Sequence, residues 1–235
     1  MAEQTAPMNG TLETQRTLLI AIDTATRWAG LALYDGETVR AEATWQSRNN
    51  HSVELMPALD RMLAQQGVEP EHLAAVAVAS GPGSFTGLRI GMSVAKGLAQ
   101  AQSIPILGVP TLEILTVPHS EQRRPVWAII QAGRGRLCAA YYRRRGGRWR
   151  QDGDLHLTTV EDLVPLIAGR CLICGELTQA EQEHIAAHSE ADLVFASPAL
   201  TMRRPACLAE LGWERFERGE ADDLATLAPT YLHTQ

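Results

Sequence analysis

Aromatic side chains are scarce in this 235-residue chain: they form 5% of it, and only three are phenylalanine. Its core must therefore be built from aliphatic and small residues. The hydrophobic content of 45%, rich in Ala and Leu, suffices for one large domain or two small lobes. Positive charge is not in surplus either. Lys and Arg number 21 against 27 acidic residues, a net charge of −6, so the chain lacks the broad basic surface of a protein that grips nucleic acid through phosphates. No apolar run approaches the ~18 residues of a membrane span, and Met1–Gln15 has no apolar segment of the kind found in a secretory signal. Cysteine is limited to Cys138, Cys171, Cys174 and Cys207. Cys171 and Cys174 have C-x-x-C spacing, but they flank Leu and Ile in an apolar stretch, and no second pair exists to complete a zinc site. They read as core thiols of a chain in a reducing cytosol.

Hydrolytic machinery is equally thin. Ser84 lies in Gly81-Pro82-Gly83-Ser84-Phe85, not in the G-x-S-x-G of a nucleophile elbow. His51 and Ser52 are adjacent, and neighbours in sequence seldom face one another productively. His184 and His188 have the four-residue spacing of two metal ligands on a helix, but no third ligand is evident, so they read as a solvated face.

What the sequence does contain is ordered. Thr17–Asp23, Ala29–Tyr34 and Thr38–Thr44 read as three strands, the last two joined by an Asp35-Gly36 turn. A helix over Ser52–Gln66 carries Leu55, Met56, Leu59, Met62 and Leu63 at helical spacing, with Gly67 as a stop. The apolar strand Leu73–Ala79 leads into Gly81–Gly87, a second helix over Thr86–Gln102 and a strand over Ile104–Val109. After Pro110 come a short helix (Thr111–Val117), strands over Val126–Gln131 and Leu137–Arg144, a helix (Thr159–Ile167) and a strand (Arg170–Cys174). A helix (Gln179–His188), a strand (Leu193–Ala196) and a last helix (Pro205–Glu217) complete the chain. The second half thus reads as a shortened repeat of the first, giving an α/β protein with mixed sheets covered by helices. The boundaries expected are a disordered tail over 1–16, a first lobe over 17–109 and a second over 110–235, with the last helix a candidate to pack back on the first lobe.

An acidic turn, a glycine-rich loop with the helix it starts, and one arginine cluster are the candidate functional features. Asp23-Thr24-Ala25-Thr26 after the first strand resembles a metal–phosphate turn, with Asp23 and Thr24 as its remnant cofactor-binding residues. Ala25 stands where close backbone approach to a phosphate favours Gly. The matching place in the second half holds Gln131, which offers no carboxylate to a metal. The loop Gly81, Pro82, Gly83, Ser84, Phe85 and Thr86 joins a strand to a helix N-terminus, a geometry suited to anions, but no Lys follows it as in a Walker loop. Ser84 or Thr86 caps the helix. On that helix Gly87, Gly91 and Ala95 form a small-residue stripe with Met92 beside it, suited to close helix approach. The partner is either the protein's own first helix or a helix across an interface that would also use Arg89, Leu55 and Leu59. Arg143-Arg144-Arg145, with Arg148 and Arg150 around Gly146-Gly147, reads as a solvated hairpin turn or as a contact for RNA or a partner.

Leu19–Thr26, His51-Ser52 with Pro57, and above all Ser80-Gly81-Pro82-Gly83-Ser84-Phe85-Thr86-Gly87-Leu88-Arg89-Ile90-Gly91 resemble the TsaB (YeaZ) family. Ala95–Ala99, Ile104–Val109 and Thr111-Leu112 continue the likeness, which is nearly unbroken over Leu18–Thr116. The family's D-A-R-x-G-E-V-Y stretch is here Gln131–Cys138, and its closing P-x-Y-L-R is Pro229-Thr230-Tyr231-Leu232-His233. The resemblance implies a two-lobed actin/Hsp70/hexokinase-like fold and a non-catalytic role in threonylcarbamoyladenosine synthesis on tRNA. The chain would dock on a catalytic sister, TsaD, which modifies adenosine 37 of tRNAs reading codons that start with A. The ATPase TsaE would be a further partner, ATP and metal would sit on the partner subunits, and a homodimer would form when the chain is alone. The competing readings are a stand-alone ATPase or kinase of the same fold, and a glycoprotease-type metalloprotease.

Overall fold

The computed structural model describes residues 17–48 and 50–231. The tail expected over 1–16 and the family-matching Leu232-His233 lie outside them. The described residues form ten strands and six α-helices. The first half runs β1 (Leu18–Asp23), β2 (Trp28–Tyr34), β3 (Val39–Gln46), α1 (His51–Gln66), β4 (Leu73–Gly81), α2 (Phe85–Gln102) and β5 (Ile106–Pro110). The second half runs α3 (Thr111–Ile114), β6 (Val126–Gly133), β7 (Arg136–Arg145), β8 (Arg148–Thr158) and α4 (Val160–Leu163). It continues through β9 (Arg170–Gly175), α5 (Gln179–His188), β10 (Asp192–Phe195) and α6 (Pro205–Glu217).

The strand orders expose an internal duplication. The first sheet is β3-β2-β1-β4-β5 and the second, read in the same sense, is β8-β7-β6-β9-β10. In each, three antiparallel strands are followed by two that add in parallel. This α/β architecture of two mixed sheets agrees with the fold class expected from the sequence. Strand β8 was not anticipated. Its sequence mixes charges with Gly153, whose φ is +95°, and the β7–β8 register shifts between Ala140 and Tyr142, so the period-two alternation that marks a strand is broken.

Burial explains the continuous apolar runs. Every residue of β1 is buried, because both faces of the first sheet are covered. Ile20 and Ile22 pack with Leu55, Leu59, Met92 and Ala95 of α1 and α2. Leu19 and Ala21 point the other way, onto Leu208 and Ala209 of α6. That face is lined by Ala75, Ala77 and Ala79, small enough for α6 to lie close: a Cβ at Gly212 would stand 2.5 Å from that of Ala77. Met56, expected on the apolar face of α1, is instead 49% exposed.

The four cysteines are buried and free. Cys171 and Cys174 are three apart on a strand, so their side chains leave opposite faces and join separate clusters, with Ile185 and with Tyr142 respectively. A disulfide between them is geometrically closed. Burial pushes the Cys138 thiol up to about 11 and that of Cys207 up to about 12, which leaves both protonated and unreactive at neutral pH.

Candidate functional site

The ends of the central strands converge on one cleft of about 760 Å³. It is lined by Thr26 and Arg27 after β1, the Gly83–Gly87 loop after β4, Gln131 on β6 and Glu176 after β9. Duplicated topology makes β1 and β6, which carry Asp23 and Gln131 near their ends, equivalent strands, and likewise β4 and β9, which end at Gly81 and Gly175. The close passage of backbone at the second pair requires glycine. A Cβ at Gly175 would sit 1.9 Å from the Ile129 carbonyl oxygen, and φ there is +119°.

At the back of the cleft an arginine joins the two halves. Arg203, on the segment leading into α6, has a side chain only 1% exposed. Its Nε donates to Asp23 Oδ2 at 2.8 Å, its Nη1 to Glu176 Oε1 at 2.5 Å, and its Nη2 to Thr26 Oγ1 at 2.9 Å. Thr26 Oγ1 in turn donates to Glu176 Oε1 at 2.6 Å. Burial works against the guanidinium charge, but the Asp23 and Glu176 carboxylates outweigh it and raise the pKa of Arg203. The other Asp23 oxygen accepts the Ala25 N–H at 2.8 Å.

This hydrogen bonding decides how the acidic turn is used. Both Asp23 oxygens have partners inside the protein, and a permanent cation stands where a metal–phosphate turn would need a divalent one. Gln131 completes the pattern, donating from Nε2 to the Glu176 carbonyl and to the Glu181 carboxylate, both at 2.9 Å. An aspartate in its place would face Glu181 with like charge. The donor set does not fit a magnesium nucleotide. Thr24, the second expected cofactor residue, is equally engaged: its Oγ1 donates to the Gly87 carbonyl at 2.7 Å.

The glycine-rich loop is fastened to this same turn. The Ser84 N–H donates to the Ala25 carbonyl at 2.6 Å. Cβ atoms added at Gly83, Gly87 and Gly91 would meet Ala25 O, Thr24 O and Thr24 Oγ1 at 2.3, 2.2 and 2.2 Å. The small-residue stripe therefore faces inward, packing α2 onto the Asp23–Thr26 turn rather than onto a partner. Leu55, Leu59, Gly87, Gly91, Met92 and Ala95, all expected at an interface, are buried within the first half. The hydrophobic effect explains the correction: at helical spacing, one apolar stripe serves the protein's own core before any partner. Of that group only Arg89 is exposed.

Of the loop residues, Gly81 donates its N–H to Thr111 Oγ1 at 3.1 Å and Pro82 is buried. Ser84 is the helix cap, accepting from Gly87 N, and Thr86 is exposed. Phe85 is 54% exposed. The Arg89 guanidinium lies 3.8 Å over the Phe85 ring, and its Nε donates to the Tyr231 hydroxyl at 3.0 Å. Phe85 and Tyr231 rings stand 4.9 Å apart. His51 is buried, with Nε2 2.9 Å from the Thr26 carbonyl oxygen. His184 and His188 stack on each other with centroids 4.2 Å apart, and among the described residues no three His, Cys, Asp or Glu side chains converge as metal ligands would.

Sequence reasoning missed Glu176 and Arg203. Glu176 had a signal: it follows the glycine that ends β9, the topological match of the loop after β4. Arg203 had none, since 180 residues separate it from Asp23.

Comparison with known proteins identifies relatives of this chain. The family model for TsaD, tRNA N6-adenosine threonylcarbamoyltransferase, matches residues 40–232. The tRNA threonylcarbamoyladenosine biosynthesis protein TsaB of Bacillus subtilis is 33% identical over 217 residues, covering 91% of this chain and 93% of that protein. TsaB of Escherichia coli is 28% identical over 222 residues, covering 91% and 94%. The structure of YeaZ from Pseudomonas aeruginosa superposes with a TM-score of 0.73 at 25% identity, covering 92% of this chain and all of that one. With its duplicated two-sheet fold and the Ser80–Gly91 run in place, the chain belongs to the TsaB family of tRNA threonylcarbamoyladenosine biosynthesis proteins.

Proposed function

We propose that this protein is a non-catalytic partner subunit in threonylcarbamoyladenosine formation at adenosine 37 of tRNAs reading codons that start with A. In this reading it docks on the catalytic sister TsaD, with TsaE as a further partner and a homodimer as its form when alone. The observation that carries it is Arg203, which ties up the acidic turn that would otherwise suit a metal–phosphate group. ATP and metal then belong to the partner subunits. Titration calorimetry of the pure protein with Mg-ATP is expected to give no micromolar binding. Micromolar binding that disappears in Asp23→Ala would instead make this chain a nucleotide enzyme.

The exposed side of α1 and α2 is the docking surface. The two helices pack against each other. Val53, Met56 and Phe85 are three of the seven large apolar side chains exposed among the described residues, at 67%, 49% and 54%. Exposed apolar groups concentrated on neighbouring helices suit an interface. Pro57 lies on the same helix and has no N–H to give the Val53 carbonyl. Val53→Glu with Met56→Glu is expected to abolish co-elution with TsaD in size-exclusion chromatography. Thermal stability should change by no more than about 0.5 kcal/mol, the usual scale for surface substitutions. Full assembly by the double variant would move the interface elsewhere.

A further inference from the structure

The β7–β8 hairpin reverses the sign of this acidic protein. Five arginines fall within Arg143–Arg150, and the strand register sets them against each other: Arg143 opposes Arg150, and Arg145 opposes Arg148. Opposed residues on paired strands share a face, as do residues two apart. Four guanidinium groups therefore project from one side of the hairpin tip, while Trp149, between them in sequence, turns to the other side and is buried. Like charges directly opposite one another disfavour the pairing, so a merely solvated turn gains nothing from this pattern.

The acidic neighbours of this face are Asp152, and Glu113, Glu210, Glu214 and Glu220 around a cleft that Arg148 and Arg150 also line, but the ion pairs formed with it are all accessible to water. Arg143 and Arg145 share one carboxylate, Asp152, at 2.9 and 2.7 Å, and all three side chains are accessible to water. Arg148 reaches Glu214 at 3.0 Å with both groups about half exposed. Among the described residues Arg150 has no ion pair within 4.0 Å, though its charge is felt at the half-buried Glu113. Exposed pairs of this kind are easily exchanged for stronger ones. Arginine forks match the oxygens of a phosphodiester, and Arg143 is steadied for that role by lying 5.4 Å from the Tyr141 ring centre.

We infer that the four-arginine face of the β7–β8 hairpin is a docking surface for the phosphate backbone of RNA. The choice of RNA among polyanions rests on the tRNA-modification reading above; the charge pattern does not. The face lies on the second half, on a different sheet from the α1–α2 surface, so one chain can hold RNA and the sister at once.

The test uses the full chain and fluorescein-labelled tRNA, followed by anisotropy between about 50 and 200 mM salt. Binding that weakens as salt rises is expected. Arg143→Glu with Arg150→Glu should lower affinity about 10-fold or more and reduce the log–log salt slope by about two. Arg143→Gln with Arg150→Gln should fall between wild type and that variant. Equal binding by wild type and the glutamate variant would overturn the assignment, as would a wild-type chain that does not bind tRNA. Polyglutamate competing as well as polyuridylate would also overturn it, in favour of an acidic protein partner. The glutamate variant should still co-elute with TsaD. Failure of the wild type to co-elute would count against the docking reading alone, because tRNA binding is read separately.

Discussion

Replacing Arg203 by Ala is expected to be the most damaging single truncation in the protein, costing about 3–5 kcal/mol, the scale for breaking a buried ion pair by removing one partner. The stranded negative charge accounts for more of this than the missing hydrogen bonds do. Asp23 and Glu176, with side chains 3% and 8% exposed, would face each other across the interior with no cation between them. Arg203→Lys should recover little, because one ammonium cannot reach Asp23, Glu176 and the Thr26 hydroxyl, which the guanidinium meets with three separate nitrogens. Neutralising the two acids should help: Arg203→Met combined with Asp23→Asn and Glu176→Gln is expected to be more stable than Arg203→Ala. Urea unfolding of the three variants checks this. A cost below about 1 kcal/mol for Arg203→Ala would mean that water reaches the site and solvates both carboxylates.

The second large effect is expected in the glycine ladder, and it should differ between two rungs. Gly87→Ala sets a methyl 2.2 Å from the Thr24 backbone oxygen, and Gly91→Ala sets one 2.2 Å from the Thr24 side-chain oxygen. Each should cost about 1–3 kcal/mol, the scale of overpacking a tight interior. Thr24→Ala removes the atom that obstructs Gly91→Ala but leaves the obstruction at Gly87→Ala. The Thr24→Ala/Gly91→Ala pair should therefore be less destabilised than the sum of its parts, while the pair with Gly87→Ala should be nearly additive. Thermal melts of the five variants supply the comparison. Equal coupling at both positions would mean that α2 shifts as a body to admit either methyl.

The strands and helices of the first half were legible because their signals are local. Leu73–Ala79 is uninterrupted apolar sequence, and α2 has a serine cap and a long helical period. The loop Gly81–Gly87 was legible as an unusual turn but not in its purpose. Glycine permits close approach to a phosphate, to a partner helix or to the chain's own backbone, and only the position of Thr24 and Ala25 decides among them. The stripe Gly87, Gly91 and Ala95 misled for the same reason: spacing gives a face, and what covers it is a tertiary matter. Strand β8 was hidden by the charges of its hairpin. Arg203 was beyond reach of pattern reading, since two adjacent arginines before a proline-started helix look like any solvated linker residues.

The position of α6 has a consequence for how the protein is made. The first sheet is complete once β5 has emerged at Pro110, but the helix that covers its alanine face begins only at Pro205. At roughly 5–20 residues per second, that face waits on the order of 5–20 s during synthesis. Leu19, Ala21, Ala75 and Ala77 stay open meanwhile, on strands that include β4, apolar from Leu73 to Ala79. Closure of the first half is thus timed by arrival of the last helix rather than by completion of the first sheet.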